Sequence, residues 1–191
     1  VGQGSSVRFL TKGCLLILSA NTVDIFIGSN IAIAISRANN ASGAFRRVQV
    51  SSRDPHSLYA KLSETLPRDH LLPPVPADVT KAETLTQAFE NADAVVSLVG
   101  ILQGSLTQFE AIQWKGAENV ARAAAAVGAK LVHVSAIGAD PHSKVPYVRT
   151  KALGEEAVLS RCPDATIIRP SLVFGPGDHL FNVSTTGTTG I

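Results

Sequence analysis

The chain contains no methionine, one tryptophan and two cysteines, and only 5% of its residues are aromatic. Two cysteines, Cys14 and Cys162, cannot form a disulfide framework. A reducing compartment is the simpler reading, with both thiols acting as small buried hydrophobes. So few aromatic rings provide no platform for stacking bases. Charge of one sign is also missing: 17 basic residues stand against 15 acidic, a formal +2. The basic residues are scattered, so no nucleic-acid partner is expected. Five histidines occur without HExxH or HxxxH spacing, and there is no CxxC, so no metal site is expected. Long hydrophobic runs are absent too. The most apolar stretch, Cys14 to Ser36, is broken by Asp24, Gly28 and Asn30, so it reads as buried structure and no transmembrane segment is expected. What is present is 191 residues, 45% hydrophobic and 17% charged. That supports one domain with a core and excludes disordered, collagen-like and coiled-coil chains.

The two ends read differently from the middle. Val1 to Val23 carries Arg8, Lys12 and several serines. That composition is shared by a mitochondrial transit peptide and by an ordinary tail. The chain opens on Val1 rather than Met, so a missing true start is expected. After Asn182 the sequence is Val-Ser-Thr-Thr-Gly-Thr-Thr-Gly-Ile, which has little to bury and reads as a mobile tail over 183–191. Asn182-Val183-Ser184 matches a glycosylation sequon, expected to be chance.

Between the ends, short apolar runs alternate with helical patterns. Strands are expected at Cys14–Ala20, Arg47–Ser52, Val75–Asp78, Ala94–Val99, Lys130–Ser135 and Ala165–Arg169. Most are Val-, Ile- and Leu-rich on both faces, as strands inside a parallel sheet are. The Val75 run is the weakest, because Pro73, Pro74 and Pro76 remove backbone donors. Helices are expected at Gly28–Ala38, Ser57–Leu66, Lys81–Asn91, Phe109–Val127 and Pro146–Ser160. Thr80-Lys81-Ala82-Glu83 has the form of a capping box, and Gly128 can end the fourth helix in a left-handed conformation. The alternation predicts right-handed crossovers and an α/β fold, a Rossmann-like doubly wound parallel sheet with helices on both faces.

The chemistry gathers on Ser135, Tyr147 and Lys151. Tyr147-Val148-Arg149-Thr150-Lys151 puts a phenol and an ammonium one turn apart on one helix face. An ammonium beside a phenol favours the phenolate, so such a tyrosine can hand a proton to a carbonyl oxygen while a nicotinamide delivers hydride to the carbon. Ser135 falls at the carboxyl end of a strand, where open α/β sheets bind ligands, and its hydroxyl can orient the same carbonyl. The alternative for the tyrosine and lysine is a solvated helix face. His133 reads as a packed core histidine and Trp114 as packing.

These residues lie within strings that resemble the short-chain dehydrogenase/reductase superfamily, in its extended or atypical branch. The strings are Ala77-Asp78-Val79-Thr80, Ala92 to Leu102, Leu131 to Asp140, Tyr147 to Glu155 and Ile168 to Pro176. As an ordered set they are most similar to the nucleotide-binding accessory subunits of mitochondrial respiratory complex I. The resemblance covers a little over half the chain, from Asp78 to Asn182. It implies an NAD(P)-binding domain over 26–182, NADPH as cofactor with NADH the alternative, complex I subunits as partners and a mitochondrial location on the matrix side of the inner membrane. Phe26, Ile27 and Gly28 would form the end of the family's glycine motif. Asp78 and Val79 would sit beside the adenine, and Leu98, Val99 and Gly100 would line the cofactor. Lys151 would reach the nicotinamide ribose, and Pro170 and Ser171 would flank the nicotinamide. Arg53, after the second strand, either holds a ribose 2′-phosphate or is a solvated arginine. Asp78 also has a plain reading as helix-start chemistry, and Gly100 as a strand terminator.

Two departures stand against this pattern. In the family's GxxGxxG, the first two glycine positions hold Thr22 and Ile25. Isoleucine resists positive φ and carries bulk where phosphate oxygens would lie, so cofactor binding is in doubt. The smaller C-terminal subdomain is expected to be largely absent. Residues 1–25, which include a candidate first strand, are read as divergent, as are those after Asn182. Three functions follow in order: a complex I accessory subunit holding NADPH structurally, an active NADPH-dependent reductase or epimerase, or a nucleotide-free remnant.

Overall fold

In a computed structural model of the chain the described residues are 14–19, 22–42 and 47–175, with the side chains of 19, 22–25 and 40–42 excepted. The expectations placed on residues 1–13, on the side chains of Thr22 and Ile25, on the Asn182 sequon and on the 183–191 tail lie outside them.

Six parallel strands form one sheet in the order β3-β2-β1-β4-β5-β6. They are β1 (Cys14–Ser19), β2 (Arg47–Ser52), β3 (Val75–Pro76), β4 (Ala94–Leu98), β5 (Lys130–Val134) and β6 (Thr166–Ile168). The helices are α1 (Thr22–Ser42), α2 (His56–Thr65), α3 (Ala82–Phe89), α4 (Leu106–Phe109), α5 (Ala117–Val127) and α6 (Pro146–Arg161). Successive side chains of a strand point to opposite faces, and both faces here are apolar. Ile17, Val48, Val50, Val96 and Leu98 pack with Ala32 of α1 and with Leu58 and Leu62 of α2. Leu16, Leu18, Val95, Val99 and Leu131 pack with residues of α3, α5 and α6 such as Phe89, Val120 and Val158. Each such side chain, fully buried, contributes about 1.5–3 kcal/mol. The expected doubly wound α/β sheet is therefore present, with helices on both faces.

Several details differ from expectation. β3 is only Val75–Pro76, two residues shorter than expected, and lies at the sheet edge, where a residue without an N–H is tolerated. The chain nevertheless continues alongside β2, with the Ala77 amide donating to the Ser52 carbonyl at 2.8 Å. Helix α1 begins at Thr22, six residues before the expected start at Gly28, since no glycine or proline interrupts residues 22–27. The expected Thr80 capping box does not form. The Thr80 amide and hydroxyl both donate to Asp78 Oδ1, at 3.0 and 2.8 Å, leaving α3 to start at Ala82 without a side-chain cap. A capping box appears instead at Ser105, whose hydroxyl accepts from the Gln108 amide ahead of α4. Between α4 and α5 the helix widens to a π-helical stretch, Glu110–Gly116. Gly128 ends α5 at φ 70°, as expected.

Cys14 is buried, and burial, reinforced by the Asp93 charge, pushes its thiol up to about 11. Cys162 corrects the expectation of two buried thiols: it is half-buried, with Sγ donating to the Ala121 carbonyl at 3.3 Å. No helix among the described residues is long and apolar enough to cross a membrane.

Candidate functional site

The strand order reverses between β1 and β4, whose chain neighbours lie on opposite sides of the sheet. In open α/β sheets ligands bind in the crevice at the carboxyl ends of such strands. Gly28 allows α1 to lie close over this point. A Cβ there would stand 3.3 Å from Ile17 Cγ2 and 3.5 Å from Leu98 Cδ1, a close helix–strand packing. Ile27 packs against the same cluster. Phe26 is half-buried, and a Cβ on Gly175 would be 3.4 Å from its Cζ.

At the carboxyl ends of β4 and β5 the structure gathers Lys151, Ser135 and Gly100. Lys151 is buried, and its ammonium donates to the Val99 carbonyl at 2.9 Å and the Val134 carbonyl at 3.1 Å. A Cβ on Gly100 would lie 3.0 Å from Lys151 Nζ, so a side chain at 100 would displace the ammonium. Ser135 follows β5 directly, and its amide donates to the Ile168 carbonyl at 2.8 Å. Its Oγ is buried with no hydrogen-bond partner among the described residues, an unusual condition for a buried hydroxyl.

Tyr147 sits one turn before Lys151 on α6, half-buried, with its ring edge-on to Phe109 at 6.2 Å and 84°. The residue that ties these parts together is Gln113, in the middle of the π-helical stretch and fully buried. Its Oε1 accepts from the Ile101 amide at 3.2 Å, and its Nε2 donates to Thr150 Oγ1 at 2.8 Å and to the Tyr147 carbonyl at 3.3 Å. One side chain thus links the loop after β4 to the helix bearing the phenol and the ammonium. Sequence reasoning missed it. The only signal is a glutamine in an otherwise core-facing helix, and a π-helical widening cannot be read from periodicity.

The second group lies at the ends of β2 and β3. Arg53 is exposed and follows β2, while Asp78 follows β3, whose Pro76 is in register with Ser52. Burial pushes the Asp78 carboxyl upward. The two Thr80 bonds and the Arg53 and Lys81 charges outweigh it and hold the group below its ordinary value. Asp78 therefore both organises the start of α3 and keeps a carboxylate beside a guanidinium. The Val79, Leu98 and Val99 side chains are packed in the core. The Val79 carbonyl accepts from Asn119 Nδ2 at 2.9 Å, and the Val99 carbonyl from Lys151. A ligand passing these three residues meets backbone.

Beyond β6, the Pro170 carbonyl accepts from the Ile137 amide at 2.8 Å, and Ser171 is exposed. Arg169 grips Glu155 of α6 through three contacts of 2.9, 3.1 and 2.6 Å. His133 is fully buried, as expected of a core histidine, with Nδ1 at 3.2 Å from Ser97 Oγ. Burial, helped by the Lys151 charge, lowers it to about 3, so the imidazole is neutral. Trp114 is half-buried with Lys115 Nζ 4.0 Å from its ring centroid.

The groups present, an ammonium and a hydroxyl after β4 and β5 and a guanidinium with a carboxylate after β2 and β3, are chemically compatible with ribose, phosphate and adenine contacts. The turn between β1 and α1, at residues 20–21, lies outside the described residues.

Comparison with known proteins gives the family and the fold. A family model described as NAD(P)H-binding matches residues 29–188. The chain is 34% identical over 107 residues to the mitochondrial NADH-ubiquinone oxidoreductase 40 kDa subunit of Neurospora crassa, covering 55% of this chain and 28% of that protein. It is 32% identical over 112 residues to the ceramide reductase of Caulobacter vibrioides, covering 58% of this chain and 35% of that protein. The chain thus spans about a third of the length of the curated relatives it matches. Among solved structures, the triphenylmethane reductase of Citrobacter sp. complexed with NADP(H) superposes with a TM-score of 0.61 at 16% identity. That match covers 83% of this chain and 50% of the reductase, and it speaks to the fold.

Proposed function

The chain belongs to the NAD(P)H-binding family, and from that premise we propose that it holds NADPH as a fixed ligand in an accessory subunit of mitochondrial respiratory complex I. The observation that carries the reading is the buried Lys151 ammonium, anchored to the carbonyls of Val99 and of Val134, the residue before Ser135. An ammonium fixed by two strands is pre-organised, so little rotamer entropy is lost when it meets ribose hydroxyls. Arg53 selects the 2′-phosphate of NADPH, and Asp78 accepts from the adenine amine. Pro170 and Ser171 flank the nicotinamide. Assembly into complex I on the matrix side, with its subunits as partners, draws support from the likeness to the Neurospora subunit.

A second reading, an active NADPH-dependent reductase, is favoured by the Ser135 Oγ, a buried hydroxyl after β5 with no hydrogen-bond partner among the described residues. Bound nicotinamide supplies hydride in that case. The chain's part is that Ser135 orients the substrate carbonyl, Tyr147 donates a proton to its oxygen, and Lys151 keeps the phenol acidic.

The test is to purify the chain, denature it and assay released nucleotide by fluorescence, then titrate refolded protein with NADPH and NADH. We expect NADPH to be released, to exchange slowly and to remain unoxidised with carbonyl compounds, and the protein to co-migrate with complex I on native gels. Arg53→Ala should weaken NADPH about tenfold and leave NADH unchanged. Turnover that Tyr147→Phe abolishes would transfer the assignment to the reductase reading. No binding of either nucleotide would leave a nucleotide-free scaffold.

A further inference from the structure

Helix α6 carries a second buried charge that the site does not use. Glu155 stands one turn beyond Lys151 on the same helix face, and its side chain is only 7% exposed. A carboxylate at that spacing from an ammonium is a natural partner for it, and in a poorly solvated setting the attraction is strong. Lys151 nevertheless points its ammonium at the sheet edge, at the Val99 and Val134 carbonyls. Both Glu155 oxygens are engaged elsewhere. Arg169 Nε reaches Oε1 at 2.9 Å and Oε2 at 3.1 Å, and its Nη2 reaches Oε2 at 2.6 Å. The guanidinium comes from the residue just before Pro170, so it also ties the nicotinamide-flanking segment to α6.

We propose, resting on the nucleotide-binding reading above, that Arg169 is a positioning residue whose two-pronged grip on Glu155 keeps that carboxylate from drawing Lys151 away from the nicotinamide ribose. Without the grip, Glu155 is a buried carboxylate short of donors, and Lys151 is the cation one turn away on its helix face. Its recruitment would withdraw the ammonium from the mouth of the sheet. The adenosine end, held by Arg53 and Asp78 beyond the ends of β2 and β3, would not be affected.

The test uses the full chain and two probes: NADPH, which engages both ends, and adenosine 2′,5′-bisphosphate, which lacks the nicotinamide half and doubles as a check of folding. Arg169→Met should weaken NADPH about tenfold and leave the bisphosphate within about twofold. Adding Glu155→Gln to Arg169→Met removes the competing charge and should return NADPH affinity to within about threefold of wild type. Arg169→Lys, which keeps the charge but frees one oxygen, should show an intermediate loss and serves in place of the methionine variant if that fails to fold. Parallel weakening of both probes, no rescue in the double variant, or unchanged NADPH affinity would each overturn the proposal. In those three outcomes wild type binds NADPH and the nucleotide-binding reading stands. A wild-type chain that binds neither probe overturns both.

Discussion

At the scale of the residue, the buried polar groups beneath the crevice set a pH dependence. His133 is neutral in the fold, its imidazole lowered to about 3 by burial and by the Lys151 charge. Unfolded, it titrates near the ordinary histidine value of 6.5. Between those values the unfolded chain binds a proton that the folded chain refuses. The contribution of His133 is therefore complete above about pH 6.5 and is lost as pH falls toward 3. The slope approaches about 1.4 kcal/mol per pH unit at its steepest. His133→Gln keeps a partner for Ser97 Oγ but does not titrate, so its denaturant-unfolding free energy should fall less steeply than wild type between pH 6 and pH 4. Parallel curves would show that the imidazole is not shielded as the structure has it.

At the scale of the element, the decisive contact is the crossing of α6 over the π-helical stretch. Gly154 abuts the Gln113 carbonyl so closely that an added Cβ would collide with backbone, and it would also meet Ala117 Cβ at 3.4 Å. Backbone cannot swing aside as a flexible side chain can, so α6 would have to lift. The lift would strain the Gln113 bonds to Thr150 and Tyr147. Gly154→Ala should therefore cost about 2–3 kcal/mol, read as a lower urea midpoint at unchanged slope. It should also weaken NADPH, because Lys151 rides on the same helix. This crossing was not legible from the sequence. Gly154 reads there as an unremarkable helix-interior glycine, and its partner lies 41 residues earlier in the chain.

At the scale of the whole molecule, a ligand that bridges the β2–β3 end to the β4–β5 end should stiffen the sheet's carboxyl edge. Anything bound only by the folded state stabilises it by mass action, about 2.7 kcal/mol at a hundredfold excess over Kd. For a chain of this size that raises the melting temperature by about 5–10 °C. NADPH should produce this shift and NADH a smaller one at equal concentration, as scanning calorimetry would show. A melting temperature indifferent to both would remove the two-ended site.

Taken alone, the sequence determined the layered α/β architecture. Apolar runs such as Ala94–Leu98 and Lys130–Val134 must be shielded on both faces, and the helical segments between them supply the shielding. It also placed Tyr147 and Lys151 on one helix face, because residues four apart in a helix share a face whatever surrounds them. One local rule misled it: α3 starts a residue later than the Thr80 capping box requires, and Thr80 bonds instead to Asp78, two residues before it. Only the tertiary structure decided where Lys151 aims, that Gln113 joins the β4 loop to α6, and that Arg169 occupies Glu155. Those outcomes depend on which groups converge after the strands are ordered β3-β2-β1-β4-β5-β6. Hydrogen-bond competition among distant groups leaves no mark on periodicity, composition or spacing.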